Sequence, residues 1–321
     1  MFGRPIFETA CTRENATVLV TPVCYDGTAS YGKGTNRGPE IILNAYEQLD
    51  YKEPRFNMDR SALGVFVDEP TAFQLGADEN VVGELIRAEI HRRTLGALRR
   101  GQIPALLGGE HSVSLGAIQA VAQQSGELGV LQIDAHMDLR KAYEGYTYSH
   151  ASVMRNVIDS CPEVTRLVQV GIRDYCEEEQ DVVESADGRI VVLRDHMIFE
   201  ATDAGRSFKD LCIESVSMLP DNVYITFDID GLDPALCPGT GTPVPGGLSF
   251  NQAVMLLQVV AESCKRVVGF DLVEVAPSPD GSEWDANVGA RVLYRLCLCA
   301  AVSQVISSED TRNGRNAKRR D

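Results

Sequence analysis

Two carboxylates and an imidazole occupy alternate positions in the segment 134–138 (DAHMD). The segment follows the apolar run Val130–Ile133, which predicts a buried strand. Because alternate side chains of an extended chain share a face, Asp134, His136 and Asp138 are expected to point the same way. Burying two acids beside an imidazole is costly unless a cation neutralises them. The spacing therefore predicts a divalent metal site.

Three other apolar runs end in the same kinds of side chain. The polar residues at their ends are His111, Asp228, Asp230 and Glu274. In an open parallel sheet, ligands bind at the carboxyl ends of the strands. The four aspartates and two histidines at these ends form a donor set that suits Mn²⁺ and also Fe²⁺, Co²⁺, Ni²⁺ or Zn²⁺. Six ligands are too many for one tetrahedral ion but suit two ions about 3.5–4 Å apart that share carboxylates.

Each of these patterns has an ordinary structural alternative when it stands alone. An isolated Asp-x-Asp is more often a turn or a helix cap than a ligand pair. A single Gly-Gly-Glu-His is equally weak as evidence. The Asp-Ala-His-x-Asp segment is stronger, and all three patterns occur in order at strand ends, which favours the metal site.

The glycine-rich segment Asp26–Pro39 contains a misleading match. Gly27 to Lys33 fits the G-x-x-x-x-G-K pattern of phosphate-binding loops, but Gly34 stands where that pattern needs Ser or Thr. The next helical pattern begins near Pro39 and not at the lysine. The segment is therefore predicted to be a loop that lines a pocket, not a phosphate-binding loop.

Apolar strand patterns alternate with amphipathic helix patterns along the chain. The predicted strands are Ala16–Val23, Leu63–Val67, Ile103–Leu107, Leu128–Ile133, Arg166–Val170, Arg189–Leu193, Asn222–Phe227 and Arg266–Val275. The predicted helices are Pro39–Leu49, Asp78–Arg100, Val113–Gln123, Ala151–Asp159, Tyr175–Glu184, Ser207–Met218, Ser249–Ser263 and Asp285–Ser307. This alternation predicts an α/β fold with a largely parallel sheet. We expect one domain, 1–307, followed by a disordered basic tail, 308–321.

The composition excludes several classes of protein. A formal net charge of −16 and a pI near 4.8 oppose binding to nucleic acid or anionic membranes and favour cationic ligands. No run approaches the roughly 18 consecutive apolar residues of a membrane span, and no signal peptide is evident, so a cytoplasmic location is expected. Nine cysteines without a Cys-x-x-Cys pair predict reduced thiols, not a disulfide framework or zinc ribbon.

The chain resembles the ureohydrolase family, which includes arginases, agmatinases and related guanidino hydrolases. The resemblance rests on Gly38-Pro39, Gly109-Glu110-His111-Ser112, 134–138, Gly171-Ile172-Arg173, Asp228–Pro234, Pro238–Pro243 and Val273-Glu274-Val275. It implies a three-layer α/β/α fold with a mostly parallel eight-stranded sheet. It also implies a homo-oligomer, a trimer or hexamer, that hydrolyses a guanidino group to urea and a primary amine.

The resemblance further implies two manganese ions per chain. One would be held by His111, Asp134, Asp138 and Asp228. The other would be held by Asp134, His136, Asp228 and Asp230. Two carboxylates would then bridge the ions.

Two more residues are expected to act on the substrate. His150 matches the family histidine that follows the metal loop, and an imidazole can transfer a proton to the leaving amine near neutral pH. Ala151 stands where glycine is commoner in the family, and capping of the next helix is the structural alternative for His150. Glu274 is expected to bind the guanidinium through a bidentate, charge-assisted bond.

The segment 139–149 (LRKAYEGYTYS) is expected to choose the substrate. Arginases carry an asparagine and a serine there for the amino-acid end, and this chain has no asparagine. Agmatine, a small cation, is therefore predicted, with Glu144 or another acid receiving its amine. Arg140 or Lys141 would instead favour a guanidino acid of the guanidinobutyrate type, and arginine is a further alternative. A non-catalytic scaffold would have lost metal ligands, and none is lost.

Overall fold

A computed structural model describes residues 1–56, 58, 63–73 and 78–317, with side chains described as far as 307 except that of Ala72. Within these residues ten strands form one sheet. They are β1 Arg4–Pro5, β2 Val18–Cys24, β3 Val65–Val67, β4 Thr71–Ala72, β5 Ile103–Leu107, β6 Leu128–Ile133, β7 Val164–Ile172, β8 Ile190–Arg194, β9 Asn222–Asp228 and β10 Arg266–Val273.

The sheet is parallel over eight of these strands, in the order β3-β2-β5-β10-β9-β6-β7-β8. This confirms the predicted mostly parallel sheet, whose eight predicted strands correspond to these eight. The other two strands have two residues each: β1 pairs antiparallel with β3, and β4 pairs parallel with β2. Two residues are too few to show a periodic pattern, so the sequence did not reveal them.

Helices cover both faces of the sheet. They are α1 Gly38–Ala45, α2 Glu79–Arg99, α3 Ser114–Ser125, α4 Val153–Ser160, α5 Glu177–Ser185, α6 Asp195–Asp203, α7 Phe208–Ser217, α8 Phe250–Glu262 and α9 Trp284–Ala317. Neighbouring strand residues face opposite cores: Val130 belongs to the core that includes residues of α2, α3 and α4, whereas Leu131 belongs to the core that includes residues of α1, α7, α8 and α9. The fold therefore has three layers, and burial on both faces explains the continuous apolar strands.

The segment Trp284–Ser307 of α9 is, among the described residues, a helix long and apolar enough to cross a membrane by length and composition. Of the apolar stretch in this segment, 67% is buried inside the protein. The helix packs against α8, α1 and β10. The helix therefore belongs to one of the two helical layers and faces the core, which accounts for its apolar composition.

Three local expectations differ from the structure. Helix α6 was not predicted, and His196 lies exposed in its first turn. The chain leaves β6 at Ile133, so the segment 134–138 is not extended strand. Helix α9 continues through 308–317, ten residues into the predicted tail, while 318–321 lie outside the described residues. The domain boundary at 307 stays a prediction.

Candidate metal centre and active site

Four adjacent strands carry the predicted site residues. β5, β10, β9 and β6 are neighbours in the centre of the sheet and run parallel. Their carboxyl ends therefore meet at one edge although they are far apart in sequence. This topology brings together His111, Glu274, the two aspartates at the end of β9 (Asp228 and Asp230) and the segment 134–138.

The His111 ring lies at the centre of one carboxylate cluster. It sits in a 3₁₀ turn after β5 and is buried. Its Nδ1 is 2.9 Å from Asp138 Oδ2, 3.2 Å from Asp134 Oδ2 and 3.4 Å from Asp228 Oδ2. None of these oxygens is aligned for a hydrogen bond to Nδ1. Several oxygens around one unpaired ring nitrogen form the arrangement expected of ligands around an ion.

His136 faces a second cluster on the other side of Asp134. Its Nδ1 is 3.1 Å from Asp230 Oδ2 and 3.6 Å from Asp134 Oδ1. Asp134 therefore turns one oxygen toward each histidine. The groups His111–Asp134–Asp138 and Asp134–His136–Asp230 each have ligand atoms close enough to hold a metal ion.

Hydrogen bonds, not strand alternation, set the geometry of the segment 134–138. The backbone amides of Ala135 and His136 donate to Asp230 Oδ1 (3.0 Å) and Asp134 Oδ1 (2.6 Å). The Gln132 amide donates to Asp134 Oδ2 (2.7 Å). Asp138 has a positive φ of 54°, which turns its side chain back toward His111. The predicted residues do converge, but for a different local reason.

The acidic charges around His111 and His136 are those that a bound metal ion would neutralise. Burial raises the pKa of Asp228 and Asp138, and neighbouring carboxylates raise both further. Burial lowers the pKa of His111, but its carboxylate neighbours outweigh burial and raise it. Divalent cations replace this mutual repulsion with attraction, and carboxylate plus imidazole is the donor set that manganese accepts. The residues present therefore fit a two-metal centre.

A buried relay orients the His111 ring, and sequence reasoning missed it. The ring Nε2 lies 2.7 Å from Thr226 Oγ1, and that hydroxyl donates to Asp271 Oδ1 at 2.8 Å. Because the hydroxyl hydrogen is used on Asp271, Nε2 carries the ring proton and Nδ1 presents its lone pair. The sequence did contain one indication of this relay, because the polar residues Thr226 and Asp271 interrupt the apolar strands β9 and β10.

Glu274 lies directly beyond β10 and is buried. Its Oε1 accepts the backbone N–H of His111 at 2.9 Å, which fixes the carboxylate beside the metal cluster. Burial raises its pKa, and the nearby Glu110 raises it further. A cationic guanidinium in contact with this carboxylate would reverse that shift.

His150 lies in a 3₁₀ turn before α4 and lines the same cavity. Its Nε2 is 3.2 Å from Ser30 Oγ, and its Nδ1 is 3.7 Å from Glu110 Oε2. Burial, reinforced by His136, lowers the pKa of His150 to about 4. The ring is therefore neutral at neutral pH and can accept a proton before passing it on.

The cavity above the cluster has a volume of about 150 Å³. Besides residues of the metal cluster, its lining includes Arg140, Tyr143, Asp174 and Glu179. The Arg140 guanidinium lies 5.0 Å from the centre of the Tyr143 ring and 3.8 Å from Glu179 Oε2. Glu144, the acid named from the sequence, is exposed and is not among the residues that line the cavity. Asp174 and Glu179 are acids that do line it.

A profile of the Arginase family matches residues 16–299. An N(1)-aminopropylagmatine ureohydrolase of Thermus thermophilus is 39% identical over 281 residues, covering 88% of this chain and 89% of that protein. An agmatinase of Neisseria meningitidis is 33% identical, covering 88% and 86%. The crystal structure of the agmatine ureohydrolase of Thermoplasma volcanium superposes with a TM-score of 0.76 at 28% identity, covering 93% of this chain and 94% of that one.

The parallel sheet, the clustered acids and these similarities define a hydrolase acting on guanidino groups. The chain belongs to the arginase family, as the sequence predicted.

Proposed function

We propose that the protein hydrolyses agmatine to putrescine and urea with two manganese ions per chain. The observation that carries the proposal is the pair of ligand groups sharing Asp134 beside the buried Glu274. The ligand sets are those expected from the sequence: His111, Asp134, Asp138 and Asp228 for one ion, and Asp134, His136, Asp228 and Asp230 for the other. When bound, the ions lower the pKa of water and so supply hydroxide near neutral pH.

The protein side chains have separate tasks in this reaction. Glu274 binds the guanidinium, with Oε1 already fixed by the His111 amide and Oε2 free to turn to the substrate. The bond between the guanidino carbon and the alkyl nitrogen breaks, and that nitrogen needs a proton to leave as an amine. His150 accepts a proton released during hydrolysis and delivers it to this nitrogen.

A simple assay tests the reaction and the substrate separately. Manganese-loaded protein should release urea from agmatine, and chelation should abolish the release. Urea from 4-guanidinobutyrate or arginine, but not from agmatine, would retain the reaction and refute the substrate. N(1)-aminopropylagmatine belongs in the same panel because the Thermus relative bears that name. No urea from any guanidino compound would refute the function.

A guanidino acid is the second candidate, and one observation favours it. Arg140 lines the cavity, held between Tyr143 and Glu179, where its guanidinium can bind a carboxylate. Asp174 lines the same cavity, and its carboxylate can bind the amine of agmatine. The two charges make opposite predictions about the substrate.

Matched charge-removing variants decide between these substrates. If agmatine is the substrate, Asp174→Asn should raise KM about tenfold, because a charge-assisted bond contributes about 1.5–3 kcal/mol. Arg140→Gln should then lower KM or leave it unchanged. The reverse pattern, with 4-guanidinobutyrate turned over faster by wild type, would assign the acid. Cytoplasmic location and a trimeric or hexameric assembly accompany this proposal as predictions, to be checked by fractionation and light scattering.

A further inference from the structure

The loop Asp26–Gly34, which carries the misleading G-x-x-x-x-G-K match, is fixed firmly beside the active site. The backbone N–H and the hydroxyl of Thr28 both donate to Glu110 Oε1 at 2.8 Å. The Gly34 amide donates to Asp26 Oδ2 (2.9 Å), and the Gly32 amide donates to the Gly241 carbonyl (2.9 Å). Thr28 and Glu110 are both buried, so water does not compete for these bonds.

Backbone contacts fix the start of the loop against the turn that bears His111. The Glu110 amide donates to the Tyr25 carbonyl at 2.9 Å. A Cβ on Gly109 would lie 1.8 Å from that carbonyl oxygen, so only glycine permits this approach. The loop and the metal-ligand turn are therefore positioned as one unit.

This unit holds His150 at two points. The His150 amide donates to Thr28 Oγ1 at 3.2 Å, and the ring Nε2 lies 3.2 Å from Ser30 Oγ. The Tyr143 ring meets the imidazole edge-on, with centroids 5.9 Å apart. The other ring nitrogen, Nδ1, is buried and makes no hydrogen bond within the described part of the chain. The Ser30 hydroxyl thus orients the ring that faces the cavity.

We infer that Ser30 is a positioning residue for His150, holding Nε2 at the cavity wall for delivery of a proton to the departing amine nitrogen. The inference rests on the proposed function and on the proposed role of His150. A hydroxyl suits the task because it can donate to the Nε2 lone pair of the neutral ring and can rotate away from it. Ser30 therefore holds the ring while Nε2 is unprotonated, and the hydroxyl rotates aside when Nε2 takes up the proton that it then delivers to the amine nitrogen. Ser30 itself gains and loses no proton overall.

Removing the hydroxyl should slow turnover without weakening substrate binding. In manganese-loaded enzyme, Ser30→Ala should lower kcat about tenfold and change KM by less than about twofold, since the bond acts through the proton donor. Metal content and melting temperature should match wild type. Ser30→Thr, which keeps the hydroxyl, should recover most of the lost kcat.

Tyr31→Phe provides the matched control. It removes one hydroxyl from the neighbouring loop residue, whose side chain is 83% exposed. Its kcat should equal that of wild type. A loss as large as that of Ser30→Ala would indicate a general disturbance of the loop and would overturn the inference.

A double-mutant cycle tests whether Ser30 acts through His150. In a His150→Asn background, the added Ser30→Ala change should alter kcat by less than about twofold, because the group it positions is gone. Equal tenfold losses in both backgrounds, a rise in KM alone or an unchanged Ser30→Ala enzyme would each overturn the inference. Absence of urea from wild type would refute the proposed function, and full activity of His150→Asn would refute the role of that histidine and the Ser30 inference with it.

Discussion

Two clusters of charge in this protein, one partly buried and one buried, have opposite balances of acidic and basic groups. At Glu53, one carboxylate meets two guanidinium groups: Arg55 Nε at 2.8 Å and Arg295 Nη2 at 2.7 Å. Burial raises the pKa of Glu53, but the two arginines outweigh it, and the pKa falls below its usual value. At the strand edge, four aspartates surround two imidazoles, and among the described residues no arginine or lysine pairs with them. Arginines of the chain balance the acid of the first cluster, whereas the second has more acids than its two imidazoles can balance.

The difference shows which buried charges stabilise the fold and which create a site. Glu53 and its two arginines link the segment before β3 to α9, so their attraction stabilises the fold. The aspartates repel one another until something from outside neutralises them. A surplus of buried acid is thus a sign of function, whereas a balanced group is a sign of architecture.

The largest effect is expected from Asp228→Asn. In the proposed two-metal centre Asp228 bridges the ions, so loss of its charge should lower urea release more than about a thousandfold and reduce bound manganese, since even outer partners of a metal cost 10–100-fold. The same change removes repulsion, because burial and neighbouring acids already raise the pKa of Asp228. The metal-free variant should therefore melt at a higher temperature than metal-free wild type.

These outcomes are measured by urea assay, metal analysis and calorimetry. Normal manganese content with normal turnover would remove Asp228 from the ligand set. A lower melting temperature of the metal-free variant would show that the aspartates do not strain the fold.

Glu53→Gln should have the converse result. It leaves Arg295 partly buried without its carboxylate, so the free energy of unfolding should fall by about 2–3 kcal/mol. Manganese content and kcat per folded molecule should not change. Denaturant unfolding gives the first quantity and the urea assay the second. An activity loss without a stability loss would contradict the assignment of this cluster to structure.

The metal-free protein should lose stability as the pH rises from about 4 to 7, by about 1–2 kcal/mol, because the pKa of Asp138 is about 7 in the folded state and near 4 in the unfolded chain. The folded-state pKa values of Asp138 and Asp228 are raised, so the folded state keeps protons that the unfolded state releases. The folded-state pKa of His111 is raised as well, and a raised histidine pKa loses its stabilising effect as pH increases. Manganese should abolish the trend, which thermal melts with and without chelator will reveal.

The smallest effect is expected at the half-exposed pair Arg13–Asp68. Burial raises the pKa of Asp68, but two hydrogen bonds from Arg13 (2.9 and 2.6 Å) outweigh it and lower the pKa. A lowered pKa gives stability that is present above about pH 4 and lost below it. Because the Arg13 side chain is 41% exposed, Asp68→Asn should cost less than about 1 kcal/mol at pH 7. Melts at pH 7 and pH 3 should differ less in the variant.

The sheet and the site residues were predictable because each left a pattern in the sequence. The strands are buried on both faces and so read as apolar runs, and the carboxyl end of each central strand is marked by acids or histidine. The hydrophobic period of α9 predicted its beginning at Asp285 to within one residue. Helix α6 was missed because it buries little: Ile198 is buried, while Met197 and Phe199 are exposed.

Contacts between distant segments could not be predicted in the same way. Nothing near Ser30 in the sequence indicates His150, because 120 positions separate them and the tie depends on Glu110 holding Thr28. The acids that line the cavity, Asp174 and Glu179, could not be predicted for the same reason. Asp174 reaches the cavity because its backbone forms a β-bridge with His136. Glu144 is closer in sequence to the segment 134–138 but does not line the cavity.

Two site carboxylates occupy left-handed backbone conformations that glycine adopts more easily. Asp138 has a φ of 54° and Glu274 a φ of 64°. Such a conformation costs a residue with a Cβ about 1 kcal/mol relative to glycine. These positions set a trade-off for anyone engineering a more thermostable enzyme. A glycine would relieve the backbone at either position, yet it would delete a carboxylate that the chemistry needs, so stabilising substitutions must be sought elsewhere in the fold.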